Sequence, residues 1–299
     1  MNDNKHVWRG YALALFAACG WASGGLISKW IFLNDAVTPE VLAGVRACVA
    51  ALMLGIWLLV FRRDRLLKKF SLKTLLFLVM FGAIAIAGMQ FTYFKTISLT
   101  NVATAILLEY LAPMFTLAAS VALFGQKLRW QSVAGVMCAL LGCAIAVGAF
   151  QSGGLSISMA GLIWGIVAAM FFALYTMMGA EGNKKFDSTV LLFHGLFFAS
   201  LMWLIVLRPT QLASAFGNLE VSLAIIVMAV TTILAFGAYL IALRSIPPTH
   251  AAITAMIEPV VAGVGAAILF GEQLTASLII GGAIILGSIA FIQMQDAGD

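Results

Sequence analysis

Charge is what this chain has least of: 10% of its 299 residues are Asp, Glu, Lys or Arg, where an ordinary soluble domain carries about 25%. With 63% hydrophobic residues and a mean hydropathy of +1.07, that shortage excludes a soluble globular domain and leaves a polytopic membrane protein. The net charge of +5 does not point to nucleic acid, because the basic residues sit in short loops between apolar runs and no basic domain exists. Cysteine is scarce, and Cys19, Cys48, Cys138 and Cys143 lie inside apolar runs without metal-ligand or redox spacing, so they read as packing residues. No apolar run contains an aspartate, and neither His-Glu-x-x-His nor Gly-x-Ser-x-Gly occurs, which argues against an intramembrane enzyme. No nucleotide-binding motif is present, so ATP drive within the chain is not expected, and nothing calls for a cofactor or metal.

What the chain has is apolar runs long enough to cross a hydrocarbon core, which takes about 20 helical residues each. Ten are legible: Trp8–Ile31, Pro39–Phe61, Leu72–Phe94, Asn101–Phe124, Trp130–Ala149, Met159–Gly179, Ser188–Leu207, Leu219–Leu243, Thr249–Phe270 and Thr275–Met294. The expected fold is therefore an all-α membrane protein of ten transmembrane helices. Met1 to Arg9 followed by an apolar run resembles a signal peptide, but the stretch continues to about Leu33 and reads as an uncleaved first helix. With both termini in the cytoplasm, Lys5, Arg9, the Arg62–Lys73 cluster, Lys127, Arg129, Lys184, Lys185 and Arg244 fall inside, leaving Lys29, Lys95 and Arg208 at the outer side or its interface. That asymmetry fits the positive-inside rule. Asp35, Glu40, Glu220 and Glu272 go outside. The chain is expected to lie in a membrane with both ends on the same side.

Of six prolines, only Pro113 and Pro259 fall well inside apolar runs. Each removes one backbone hydrogen bond and presses on the carbonyl four residues earlier, that of Glu109 or Ala255. Each also has a glutamate within one turn before it, Glu109 and Glu258. A mid-membrane carboxyl costs about 2 to 3.5 kcal/mol on insertion scales and marks a functional position with a buried or wet partner. Kinked helices with internally bonded carboxyls are the alternative.

The two halves resemble one another. In the register that places Pro113 on Pro259, Tyr93 meets Tyr239, Leu123-Phe-Gly125 meets Leu269-Phe-Gly271, and Leu128 meets Leu274. Five helices per half make the second repeat enter from the opposite side, so residues 1–150 and 151–299 are expected to form two inverted five-helix repeats around a central cavity. In that register Glu258 falls on Ala112 and Glu109 on Ala255, so the site is expected to be asymmetric.

Trp8, Trp30, Trp57, Trp130 and Trp203 lie near run ends, as interfacial anchors do, whereas Trp21 lies mid-run in Gly20-Trp-Ala-Ser-Gly24. That spacing allows close helix contact and recurs at Gly161 and Gly165. Trp21, Tyr93, Tyr110 and Tyr239 could offer stacking surfaces and hydroxyls to a solute, or pack the core. His250, just after the Pro247–Pro248 break, reads as a gate, a titrating group or an interfacial histidine. His194 reads as a helix contact. Arg46 either snorkels or pairs with a carboxylate.

These features together resemble the drug/metabolite transporter superfamily, in its EamA-type ten-helix branch. The resemblance rests on the paired five-helix repeats, Arg46 in the second helix, and the proline followed by Leu-Phe-Gly-x-x-Leu that closes the fourth and ninth helices. Gln126-Lys-Leu departs from the acidic residue usual there. The resemblance implies a basket-like bundle whose cavity is bounded mainly by helices one, three, four, six, eight and nine, with five and ten as outer supports. Length and texture are similar to bacterial amino-acid exporters.

The expected function is thus secondary export of amino acids, aromatic and other neutral ones, or related amphipathic metabolites. The expected substrate-binding residues are Trp21, Tyr93, Glu109, Tyr110, Tyr239, His250 and Glu258. Pro113, Pro247, Pro248 and Pro259 are expected helix breaks or gating positions. The partners expected are the solute and the bilayer, with no obligatory protein. A proton-coupled exporter of drugs or other metabolites, or a passive channel, remains the alternative.

Overall fold

A run that is apolar all round cannot leave backbone amides unpaired in lipid, so it closes its hydrogen bonds internally as a helix. The computed structural model describes residues 2–34, 37–66, 70–100, 102–125, 127–151 and 158–296. Among them the regular structure is entirely helical. Asp35, Lys68, Lys69, Asn101 and Gln126 lie outside the described residues.

Ten helices form the body: α1 (Asn2–Leu33), α2 (Pro39–Phe61), α3 (Leu72–Leu99), α4 (Val102–Glu109 and Ala112–Phe124), α5 (Trp130–Ala146), α6 (Met159–Asn183), α7 (Ser188–Val206), α8 (Leu219–Ala242), α9 (Pro248–Ala255 and Glu258–Phe270) and α10 (Ala276–Asp296). Nine are long and apolar enough to cross a membrane, and α5, with 17 residues, is shorter. It stops before the expected Ala149 because the chain turns through Gly148, whose φ is 75°. Starts are set by small polar caps. Thr38 accepts from the Val41 N–H beside Pro39, Ser158 from Gly161, Asp187 from Thr189 and Asn218 from Glu220, each satisfying a donor that a first turn leaves open.

Both proline helices are broken rather than merely bent. Each consists of an 8-residue segment, a two-residue break one turn before the proline, and a 13-residue segment ending on a left-handed glycine, Gly125 (φ 64°) or Gly271 (φ 69°). The register that aligns Pro113 with Pro259 therefore aligns the breaks and the terminal glycines as well. α3 contains a π-helical stretch, Met80–Ile86.

Helix pairing carries the same symmetry. α1 packs on α8 and α9, α6 on α3 and α4, α2 on α7, α4 on α9, and α5 on α10. Exchanging each helix for the one five later maps every pairing onto another of the set, which is the inverted-repeat arrangement. Small residues set the close contacts. A Cβ on Gly20 would stand 2.7 Å from the Ala235 Cβ, and one on Gly165 would stand 2.4 Å from the Leu108 side chain. Gly24, expected to pack like Gly20, instead borders open space in the central cavity.

Trp203 corrects the interfacial expectation: it is fully buried, packed on α2 where Gly44 leaves room for it. Trp8, Trp57 and Trp130 are exposed. Of the cysteines, Cys143 is buried and Cys48 intermediate, but Cys19 and Cys138 are exposed rather than packed in the core. Large apolar side chains such as Leu123, Ile205 and Ile268 project from the bundle, as a lipid-facing surface requires.

Candidate functional site

A cavity of about 670 Å³ occupies the centre of the bundle. It is lined by α1, α2, α3, α4, α6, α8 and α9, with a small contribution from α5 and α10, and opens toward the face on which α1 ends. Lys29, Phe32 and Leu33 from the last turn of α1, with Glu272, Gln273 and Thr275 after α9, border its mouth. Lys29 and Glu272 form an ion pair across that mouth.

The opposite face is sealed. Tyr110, Tyr175 and Tyr239 are fully or almost fully buried beneath the cavity. Below them the Tyr11 hydroxyl lies 3.1 Å from His250 Nδ1. Arg244 Nε donates to Ser188 Oγ at 2.9 Å, and Ser188 Oγ donates to Asn183 Oδ1 at 2.8 Å, fastening the end of α6 to α7 and α8.

The deep end of the cavity is aromatic. The Trp21 ring lies 5.1 Å from Tyr239, 5.4 Å from Phe236 and 5.7 Å from Phe172, centroid to centroid. Tyr175 stacks beneath at 5.8 Å from Tyr239, whose hydroxyl is bonded to Thr176 Oγ1 at 3.0 Å. The Trp21 indole N–H has no hydrogen-bond partner among the described residues.

The α9 break supplies the main polar feature. Pro259 has no N–H to give the Ala255 carbonyl, and the Tyr110 hydroxyl, from the break in α4, donates to that carbonyl at 2.9 Å. The same hydroxyl lies 2.6 Å from Glu258 Oε2. Glu258 thus sits in the cavity wall held by a residue of the other repeat, where α4 and α9 cross.

Trp21, Tyr93, Glu109, Glu258 and Pro259 all line the cavity. Tyr110 and Tyr239 lie immediately beneath, touching Glu258 and Trp21. His250, Pro247 and Pro248 stand away from the cavity at the sealed face, and Pro113 lies off it on α4. His194 bonds the Val190 carbonyl through Nδ1 at 2.8 Å, a contact within its own helix. Arg46 does not snorkel away: it lines the cavity, with its guanidinium 5.8 Å from the Phe94 centroid and within electrostatic reach of Glu109. Gln90, Phe172, Phe236, Thr231 and Thr232 complete the wall and were not singled out in the sequence. Gln90 could have been, as an amide in mid-run; phenylalanines in apolar runs carry no such signal.

A helical bundle of inverted repeats with a one-sided central cavity defines a membrane carrier. The EamA-like transporter family model matches this chain twice, over residues 8–148 and 159–294, and the chain belongs to that family. It is 30% identical over 218 residues to an uncharacterized transporter of Archaeoglobus fulgidus, covering 73% of this chain and 75% of that one. It is 26% identical over 297 residues to the uncharacterized inner membrane transporter YicL of Salmonella typhimurium, covering 96% of each. A solved structure described only as a crystal structure of a protein superposes with a TM-score of 0.75 at 20% identity, over 98% of this chain and 97% of that one, a likeness of fold. The protein is a multi-pass membrane transporter of small solutes.

Proposed function

We propose that this carrier exports neutral amino acids, aromatic ones among them, or closely related amphipathic metabolites, by alternating access across a bacterial inner membrane with both termini in the cytoplasm. The observation that carries the reading is the cavity's composition: an aromatic floor around Trp21 beside two carboxyl side chains. Its volume of about 670 Å³ falls within the roughly 300–1,000 Å³ typical of small-molecule sites. Trp21 would stack on an apolar or aromatic side chain, and Glu109 and Glu258 would take the ammonium group. Tyr93 would orient the solute by its hydroxyl, and Tyr110 would hold Glu258 in place. The repeats 1–150 and 151–299 would move against one another about the breaks before Pro113 and Pro259. The Tyr11–His250 contact beside Pro247 and Pro248 would open when the mouth at Lys29 and Glu272 closes.

A second reading, solute export coupled to protons, is favoured by one observation. The Tyr110 hydroxyl has a single hydrogen and two oxygens within reach, so a proton on Glu258 would satisfy both contacts. The test is uptake of labelled phenylalanine, tryptophan and threonine into liposomes holding the purified protein, with and without a pH gradient. Saturable aromatic uptake without a gradient is expected, reduced about tenfold or more by Glu258→Gln if the carboxylate–ammonium contact carries binding. Uptake only under a gradient, lost in Glu258→Gln, would select the proton-coupled form. No uptake of any amino acid by folded protein would reject the amino-acid reading.

A further inference from the structure

A buried side-chain amide with nothing to bond is costly, because both its donor and its acceptor have given up water. Gln90 is 2% exposed, lines the cavity, and neither its Oε1 nor its Nε2 has a partner among the described residues. Arg46 lines the same cavity, makes no ion pair or hydrogen bond among the described residues, and leaves its Nε unpartnered. The two belong to one place. Gln90, Tyr93 and Phe94 are three and four residues apart on α3 and so share a helix face, and the Arg46 guanidinium lies over the Phe94 ring at 5.8 Å. A cation and an unsatisfied amide in the wall of one cavity have the donors an anionic group needs.

We infer that Arg46 and Gln90 form the docking corner for the substrate's carboxylate, an inference that rests on the amino-acid reading above. A guanidinium presents two parallel N–H groups that match a carboxylate, and the Gln90 amide adds a third donor. The guanidinium also lies within electrostatic reach of Glu109, so it has at most one positive charge to offer, which suits a carboxylate and not a phosphate dianion. The carboxyls that would hold the ammonium come from other helices, Glu109 from α4 and Glu258 from α9. A solute with carboxylate, ammonium and apolar side chain would therefore touch Arg46 and Gln90, the glutamates, and the Trp21 floor at three separate points. Solutes lacking the carboxylate would leave Arg46 and Gln90 as unsatisfied as they are now.

The experiment is calorimetric titration of the purified protein and its variants with three probes: phenylalanine, phenethylamine, which lacks the carboxylate, and 3-phenylpropionate, which lacks the amine. Arg46→Gln is expected to weaken phenylalanine about 10- to 100-fold, and Gln90→Leu by a smaller factor, while phenethylamine shifts by under about threefold. Arg46→Lys, which keeps the charge and loses the fork, should fall between. Retained phenethylamine binding shows that each variant is folded. Equal losses for phenylalanine and phenethylamine would overturn the inference, as would phenylalanine binding unchanged in Arg46→Gln, which leaves the amino-acid reading standing. Arg46-dependent binding of 3-phenylpropionate without binding of the two amines would uphold the anion corner and reject the amino-acid reading. Binding of none of the three by the wild-type protein would reject both.

Discussion

Tyr110 has one hydroxyl hydrogen and answers two needs, the Ala255 carbonyl that Pro259 leaves unbonded and the Glu258 carboxyl. Phenylalanine at position 110 would keep the ring, leave the buried Ala255 carbonyl without a donor and remove the contact to Glu258, a loss of about 1–3 kcal/mol. Tyr110→Phe should therefore lower the melting temperature in detergent more than Tyr239→Phe, whose one hydroxyl bond among the described residues is to Thr176. Equal effects would contradict the capping role. Pro259→Ala restores an N–H that can bond the Ala255 carbonyl, so the two substitutions should couple: Tyr110→Phe should cost less in the Pro259→Ala background, read as a double-mutant cycle. At this scale the sequence was legible where chemistry was out of place. Glu109, Glu258 and Trp21 stood out in mid-run, and they line the cavity. Phe172 and Phe236 did not, because an aromatic in an apolar run reads the same whether it faces a cavity, a neighbour or lipid.

The proline helices are where local sequence and helix geometry meet most directly. Pro113 and Pro259 announced a disturbance. That each would become a full two-residue break, with a tyrosine from one capping a carbonyl of the other, depends on α4 crossing α9 and lies beyond any local signal. The π-helical stretch of α3 was likewise illegible, since Met80–Ile86 reads as an ordinary helical run. The α5–α10 pair depends on backbone contact: a Cβ on Gly281 would stand 2.4 Å from the Ala146 N and the Gly142 O, whereas one on Gly287 meets nothing within 4 Å among the described residues. Backbone cannot move aside as a side-chain tip can, so Gly281→Ala should destabilise by about 1–3 kcal/mol. Gly287→Ala on the same helix should be neutral or slightly stabilising. Thermal unfolding of the two variants side by side checks this, and equal melting temperatures would contradict it.

Across the whole molecule, ten apolar runs and a repeated proline motif were enough to read the fold, because length and composition decide crossings and an odd number of helices per repeat decides inversion. Which face of the carrier is open was not legible, since both closed forms use the same sequence. The cavity opens beside Lys29 and Glu272 and is sealed at Tyr11 and His250. In the orientation proposed above, with both termini cytoplasmic, the open face is periplasmic. A cysteine placed at Ala262, in the cavity wall, with the four native cysteines replaced by alanine, should then react with a membrane-impermeant maleimide added outside. Excess phenylalanine should slow the reaction, and a cysteine at Leu240, fully buried at the sealed end, should not react. Labelling of both sites alike would contradict a one-sided cavity.

The central claim is that one solute site is presented alternately to the two sides, and counterflow tests it most directly. Liposomes containing the protein and preloaded with unlabelled phenylalanine are diluted into a trace of labelled phenylalanine with no other gradient. An alternating-access carrier predicts a transient accumulation of label above its equilibrium level, which decays as the internal pool empties and is greatly reduced in Arg46→Gln and Glu258→Gln. Label that rises only to equilibrium, at a rate independent of the preload, would mean a pore, and the account would be wrong.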